Sequence, residues 1–249
     1  MPRFFVNPSQ IDQDIIKITG DDAHHISRSL RMAVGDEVTL CDMMGNDYEC
    51  VLSAFTDSTV TAKIISSHPV DTEPSFCAHL FQALPKGDKL DHIIQKAVEC
   101  GISEITTFNS ERCIAKEKSN EENKLKRRQR ISLEAAKQSG RGLVPTVNPT
   151  VSFDEMLKRA CAYDLVLFCY EKDTAMPLKK LIHSYFEKNG RKDDLSIAIV
   201  IGSEGGFSEK EANRAEESGM QLVGLGKRIL RTETASSFLL GCLVYEFEL

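Results

Sequence analysis

No apolar run in this 249-residue chain approaches the length of about eighteen residues that a membrane-crossing helix requires. The opening stretch Met1-Pro-Arg-Phe-Phe-Val-Asn7 has neither the apolar core nor the small-residue cleavage site of a secretory signal, so a soluble, cytoplasmic protein is expected. Eight cysteines contain no C-x-x-C pair and have no cluster of histidines beside them, which removes the zinc-site spacings. No metal is expected, and the thiols should be reduced and buried as small hydrophobes, as at Cys169 and Cys242. His24-His25 is better read as a helix start or turn than as a ligand pair, because adjacent side chains on a helix point to different faces.

Two nucleotide and hydrolase signatures are also missing. The near-match to a phosphate-binding loop at Gly226-Lys227 fails, since Gln221 stands where the first Gly belongs and Arg228 replaces the hydroxyl residue. Ser203 lies in a strand-turn-helix context like a nucleophile elbow, yet all six histidines precede it, against the chain order of that fold.

The net charge of −6 speaks against a generic nucleic-acid binder, but its distribution is uneven. Between Arg112 and Arg141 there are ten Lys or Arg against four Glu. Such a stripe is either a solvated helix face or a surface that neutralises phosphates.

At 41% hydrophobic, a chain of this length can fill one large core, or a large and a small one. Residues 37–41, 48–52 and 59–65 are short β-branched runs separated by Gly, Asn and Asp, which predicts a small β-barrel or sandwich. Residues 68–75, with two prolines, read as a linker. From Phe76 strands alternate with helical patterns, and Leu90, Ile93, Ile94, Ala97 and Val98 form an apolar stripe closed by Gly101. Further strands are expected at 104–108, 164–169, 197–201 and 221–225, with helices near 121–138, 152–161, 177–187 and 208–218. Ser208-Glu-Lys-Glu211 is a capping box. A last helix should begin near Thr232 and bury Ala235, Phe238, Leu239, Cys242 and Leu243. The alternation predicts a mostly parallel α/β sheet with its ligand at the carboxyl ends of the strands.

The apolar run Ser196–Ile201 breaks into Gly202, Gly205 and Gly206, where backbone must come close to something a Cβ would obstruct. Glu204 in that loop disfavours a polyanion. A neutral or cationic cofactor held by loop backbone remains, with Arg231, Thr232, Glu233 and Thr234 supplying polar chemistry beside it.

Gly202-Ser-Glu-Gly-Gly-Phe-Ser208 with Leu225-Gly-Lys-Arg-Ile-Leu-Arg-Thr-Glu-Thr-Ala235 resembles the signature of RsmE, the 16S rRNA uridine-N3 methyltransferase family of the SPOUT superfamily. The likeness continues through Met1–Phe5, His25–Arg31 with Gly35-Asp36, Lys86-Gly-Asp88, Gln95–Ala97 with Gly101, Ser110–Arg112, and Glu134–Arg141 with Pro145. Two departures stand out: Ser203 where the family has Pro, and Asp42-Met-Met-Gly45 in place of a tighter Asp-Gly turn. The resemblance implies a PUA-like β-barrel RNA-binding domain over 1–70, then a SPOUT-type α/β methyltransferase domain over 76–249 with a C-terminal deep trefoil knot. It further implies S-adenosylmethionine as cofactor, a homodimer, and 16S rRNA of the small ribosomal subunit, recognised on the assembled particle, as substrate.

Carried over residue by residue, the cofactor site would comprise Cys169, Tyr170, Glu171, Gly202, Glu204, Gly205, Leu225, Gly226, Ile229, Leu230, Arg231 and Ala235. Backbone groups of Leu225, Ile229 and Leu230 would meet the adenine edge while their side chains wall the ring. Arg231 would stabilise charge on the uridine carbonyls as N3 loses its proton, and Glu233, or a water it holds, is a candidate acceptor. Arg3, Arg28, Arg31, Gln138 and Arg141 would face RNA. Taken singly, Arg231 pairing with Glu233, and Glu204 capping a turn, are equally ordinary structural readings. A catalytically silent rRNA-binding factor, and a methyltransferase acting on tRNA or another base, are the competing functions.

Overall fold

A computed structural model describes residues 1–117, 122–172, 175–190, 192 and 194–249. The chain divides into two compact units, Met1–Glu73 with Ala136–Val144, and Pro74–Ala135 with Pro145–Leu249. The segment Ala136–Val144, expected within the second domain, therefore belongs to the first.

The first unit is one six-stranded sheet, not the two sheets of a sandwich. Its strands are β1 (Arg3–Phe5), β2 (Ile11–Asp12), β3 (Ile15–Thr19), β4 (Glu37–Cys41), β5 (Asn46–Phe55) and β6 (Thr59–Pro69), in the order β1-β4-β5-β6-β3-β2. All pairings are antiparallel except β1 with β4. The alternation read in β4 to β6 sends Val38, Leu40, Cys50, Leu52, Val60 and Ala62 inward, where they meet Phe4, Ile16, Ile18 and Ile26. Between β3 and β4, a short helix α1 (Gly20–His24) runs into a π-helical turn, His25–Ser29. The Asp42-Met-Met-Gly45 turn is organised by its own carboxylate, which accepts from the N–H groups of Met44 (2.7 Å) and Asn46 (3.0 Å) and from Tyr48 Oη (3.2 Å). Burial works against ionisation of Asp42, but these hydrogen bonds outweigh it and hold the carboxyl below its ordinary value. Met43 (φ 57°) and Gly45 (φ 101°) take the left-handed conformations the turn demands.

The second unit is a seven-stranded sheet in which every neighbouring pair is parallel. Its elements are β7 (Phe76–Ala83), α2 (Lys89–Glu99), β8 (Glu104–Asn109), α3 (Glu122–Ser139), β9 (Thr146–Ser152), α4 (Phe153–Ala160), β10 (Leu165–Cys169), β11 (Met176–Pro177), α5 (Leu178–Asn189), β12 (Leu195–Ile201), α6 (Glu209–Glu217), β13 (Gln221–Gly224) and α7 (Thr232–Phe247). The strand order is β11-β13-β10-β12-β7-β8-β9, so the ends of β13, β10 and β12 stand side by side. Leu90, Ile93, Ile94, Ala97 and Val98 of α2 are all buried, as their spacing predicts. Withdrawing each of the larger four from water contributes about 1.5–3 kcal/mol. Gly101 (φ 89°) ends that helix, and the Ser208–Glu211 capping box starts α6.

Three sequence expectations need correction. Strands β1, β3 and β9 carried too short or too mixed a pattern to be read, and residues 68 and 69 extend β6 instead of opening a linker. In α7 the buried face is Thr232, Ala235, Ser236, Leu239, Leu240 and Leu243, while Phe238 is 42% exposed and Cys242 is half-buried. All eight cysteines are free thiols, yet Cys77 and Cys161 are exposed, not buried. The start of the expected helix at residue 121, with Lys118 of the basic stripe, lies outside the described residues. Among the described residues no helix is long and apolar enough to cross a membrane.

Candidate active site

Among the described residues, the buried side-chain oxygens that lack a hydrogen-bond partner are Gln82 Oε1, Ser110 Oγ, Ser203 Oγ, Glu233 Oε2, Ser236 Oγ and Ser237 Oγ. Gln82, Ser110 and Ser203 stand at the carboxyl ends of β7, β8 and β12, and the others lie in the first two turns of α7. Folded proteins leave few buried polar groups unpaired, and parallel sheets take their ligands at this end. Both criteria select one place.

The glycine loop after β12 is closed on itself, with Gly206 N–H donating to Ser203 O at 2.9 Å. A Cβ on Gly202 would stand 3.2 Å from Gly206 Cα, and one on Gly206 (φ 61°) would meet Glu171 Oε1 at 2.4 Å. Phe207 anchors the loop from below, buried with its ring 4.2 Å from that of Phe168. Arg112, three residues past the end of β8, donates to Gly205 O at 3.0 Å.

From β13 the chain passes back across the ends of β10 and β12. Gly226 (φ 109°) turns it, and Thr232 ties it down by donating to Gly202 O at 2.6 Å. Gln82, with no exposed surface, donates through Nε2 to Thr232 Oγ1 (2.9 Å) and Gly202 O (3.3 Å). Between these fixed points, the backbone of Leu225, Ile229 and Leu230 makes no hydrogen bond to the protein among the described residues. Ile229 is 84% exposed.

Charge is concentrated where the loop meets α7. Glu204 accepts from Lys86 N–H (3.1 Å) and Lys89 Nζ (2.9 Å), and Lys89 Nζ lies 3.6 Å from Glu233 Oε2. Partial burial works against charge on Glu204, but the Lys89 ammonium and the backbone donors outweigh it and hold the carboxyl below its ordinary value. Arg231, the residue immediately before α7, is exposed and has no side-chain partner among the described residues. Glu233 thus faces Lys89, and the pairing of Arg231 with Glu233 does not occur.

A parallel α/β unit with a backbone-lined corner, in a chain that also carries a six-stranded unit, has counterparts among known proteins. The family described as RNA methyltransferase domain matches residues 72–244, and the RNA methyltransferase PUA domain matches residues 18–65. The Bacillus subtilis protein named Ribosomal RNA small subunit methyltransferase E is 34% identical, covering 100% of this chain and 98% of the relative. This chain belongs to the ribosomal RNA small subunit methyltransferase E family. Among solved structures, the family member from Neisseria gonorrhoeae bound to S-adenosyl methionine superposes with a TM-score of 0.84 at 30% identity, over 99% of this chain and 98% of that one. A putative methyltransferase from Legionella pneumophila in complex with the same cofactor gives 0.84 at 25% identity, over 98% and 97%. The resemblance read from the sequence, and the RNA methyltransferase activity class it implied, are met.

Within this family framework, the structure gathers the residues assigned to a cofactor from three loops. Cys169, Tyr170 and Glu171 follow β10; Gly202, Glu204 and Gly205 follow β12; Leu225, Gly226, Ile229, Leu230 and Arg231 follow β13, with Ala235 buried one turn into α7. The residues assigned to RNA do not behave alike. Arg3 is bound to both carboxylate oxygens of Asp47 (2.6 and 2.7 Å), and Arg141, 3% exposed, is bound to Glu73 at 2.6 Å. Both are internal ties of the first unit, so the expectation that they face phosphate is corrected: each charge is already compensated by a carboxylate, and little of either side chain reaches solvent. Arg28, Arg31 and Gln138 are exposed. The basic stripe is likewise largely neutralised within the protein, Arg128 by Glu117 (2.8 Å), Lys126 by Glu122 (2.6 Å), and Arg127 by Asp91. Sequence reasoning missed Gln82 and Lys89, whose partners lie more than a hundred positions away.

Proposed function

We propose that this chain transfers the methyl group of S-adenosylmethionine to N3 of a uridine in the decoding region of 16S rRNA, acting on the assembled small subunit as a cytoplasmic homodimer. The observation that carries this reading is Arg231: a guanidinium with no side-chain partner among the described residues, held at the start of α7, beside a glycine loop and a carboxylate whose buried oxygen accepts no hydrogen bond among those residues.

The cofactor fits the residues present. Free backbone groups at Leu225, Ile229 and Leu230 suit the edge of an adenine, and Ile229 and Leu230 offer apolar walls. Gly202 and Gly206 let the loop fold tightly on itself and against Glu171, where a Cβ would collide with Gly206, Phe207 or the Glu171 carboxylate. When bound, S-adenosylmethionine supplies an electrophilic methyl group on a sulfonium, a cation that Glu204 tolerates where it would repel a polyphosphate.

The uridine imide must lose its N3 proton before the nitrogen can attack. Charge then develops on the two flanking carbonyl oxygens, and Arg231 donates hydrogen bonds to them from a permanently charged, planar group. Glu233 accepts the proton directly or through a water it orients. Thr232, fixed between Gln82 and Gly202, sets the direction in which its two neighbours project.

Arg28, Arg31 and Gln138 are assigned to RNA because they are exposed cations and an amide on the PUA-family unit. The knot is supported by the passage of residues 225–231 across the β12 loop, where Thr232 is bound to Gly202, and by the packing of α7 on α2 and β12. The dimer is supported by the exposure of Ile229, Phe238 (42%) and Tyr245 (72%) around a helix whose other face is already buried.

The test is transfer of labelled methyl to small subunits from a strain lacking this gene, with the product nucleoside identified by mass spectrometry. N3-methyluridine that disappears with Arg231→Ala is expected. A different methylated nucleoside would assign the enzyme another base, and cofactor binding without transfer would place its substrate in another RNA. Sedimentation as a monomer at micromolar protein would remove the dimer.

A further inference from the structure

We propose that Lys89 is a positioning residue for methyl transfer, its single ammonium holding the carboxylate of the glycine loop and the carboxylate of the last helix in one arrangement. This rests on the function proposed above.

Lys89 is the first residue of α2, so its backbone is fixed by a helix whose apolar stripe is fully buried. That helix packs against α7, which carries Glu233. Across from it, the glycine loop brings Glu204 to within 2.9 Å of Lys89 Nζ, while Glu233 Oε2 lies at 3.6 Å from the same nitrogen. The three residues come from three separate segments of the chain and meet at one cation.

Glu233 Oε2 gives the arrangement its consequence. It is buried and accepts no hydrogen bond among the described residues. A carboxylate oxygen taken from water without a donor is costly, and the side chain, 25% exposed, would rotate outward to recover its hydration. The Lys89 ammonium is the charge that makes the inward position tenable. The same ammonium is drawn towards Glu204, so the glycine loop and Glu233 take their positions together: a loop settled around its ligand presents Lys89, and Lys89 presents Glu233. The charged groups facing Lys89 are Glu204 from the loop and Glu233 from α7, and Lys86 adds a backbone N–H to Glu204.

A lysine acting through Glu233 has a signature that a lysine merely bracing the loop lacks. Lys89→Met should lower kcat for methylation of small subunits at least tenfold and leave the Kd for S-adenosylmethionine, read by calorimetry, within threefold. Lys89→Arg should recover most of kcat, since the charge survives. In a Glu233→Gln background the Lys89→Met change should cost less than twofold, because its target is already neutral. A loss of cofactor affinity with kcat intact would overturn the proposal, as would an undiminished tenfold loss in the Glu233→Gln background. If the unsubstituted protein binds the cofactor but methylates no small subunit, the proposed function itself fails, a result separate from a Lys89→Met variant as active as its parent.

Discussion

Gln82 and Thr232, 150 positions apart, share a hydrogen bond of 2.9 Å at the point where three strand ends and the start of α7 converge. Thr232 Oγ1 donates in turn to Gly202 O, so a glutamine, a threonine and a glycine carbonyl form one buried hydrogen-bond relay across β7, α7 and the end of β12. Thr232→Val keeps the shape and removes both bonds. It should cost about 1–3 kcal/mol in urea unfolding, the usual consequence of leaving buried donors and acceptors short. Calorimetry should show S-adenosylmethionine binding weakened several-fold. Unchanged stability and affinity would mean that the relay holds nothing in place.

Gly206 takes φ 61° with Glu171 packed against the space a side chain would occupy. Gly206→Ala should cost about 1–2 kcal/mol from the left-handed backbone alone. Glu171 must also move, and it lies in the segment assigned to the cofactor. The expected outcome is a rise in Kd for S-adenosylmethionine larger than the loss in melting temperature would suggest. Equal affinity in the variant would take the loop out of the binding site.

Arg28 and Arg31 should separate from Arg141 on substitution. The double change Arg28→Glu with Arg31→Glu is expected to weaken rRNA binding by about tenfold or more and to flatten its salt dependence. Cofactor affinity should stay as it was. Arg141→Met leaves Glu73 partly buried without its cation, and should cost about 3–5 kcal/mol of stability. Filter binding at several salt concentrations, alongside chemical denaturation, distinguishes the two classes.

His79 gives the protein an acid sensitivity of its own. It is buried against Phe81, with Nδ1 2.5 Å from Tyr163 Oη and Nε2 2.7 Å from Thr106 Oγ1. Burial, with a smaller contribution from the Arg159 charge, pushes its pKa down to about 3. The unfolded chain takes up a proton near pH 6.5 that the native state refuses until about pH 3, so native stability falls as pH drops through that window. The slope is about 1.4 kcal/mol per pH unit at most. His79→Gln should flatten the stability curve between pH 6.5 and 5, and a curve of the same slope would show that other groups set it.

Periodicity carried much of this architecture. The α2 stripe, the Ser208 capping box and the strand runs at β4, β10 and β12 were legible because each is a local pattern with a local cause. The glycine corner was legible as a place for a ligand, because closely spaced glycines after an apolar run have few other uses. Lys89 was not, since its partners arrive from positions 204 and 233 and no local pattern marks them. Arg3 and Arg141 were misread for the same reason: charge is visible in sequence, but Asp47 and Glu73, which consume it, are found only in three dimensions. In α7 the apolar residues surround the helix, and periodicity alone could not choose which of Phe238 or Leu240 turns inward.

The first unit closes only when Ala136–Val144 are added to Met1–Glu73, and Arg141 and Gly142 from that return segment are what Glu73 holds. The unit that matches the PUA family is thus not an N-terminal module that one recombination point could transfer. Moving it to another protein would take three breaks in the gene, at 73/74, 135/136 and 144/145. An exchange of the small unit would have to carry the return segment with it, because Glu73 would otherwise lose Arg141 and the Gly142 N–H.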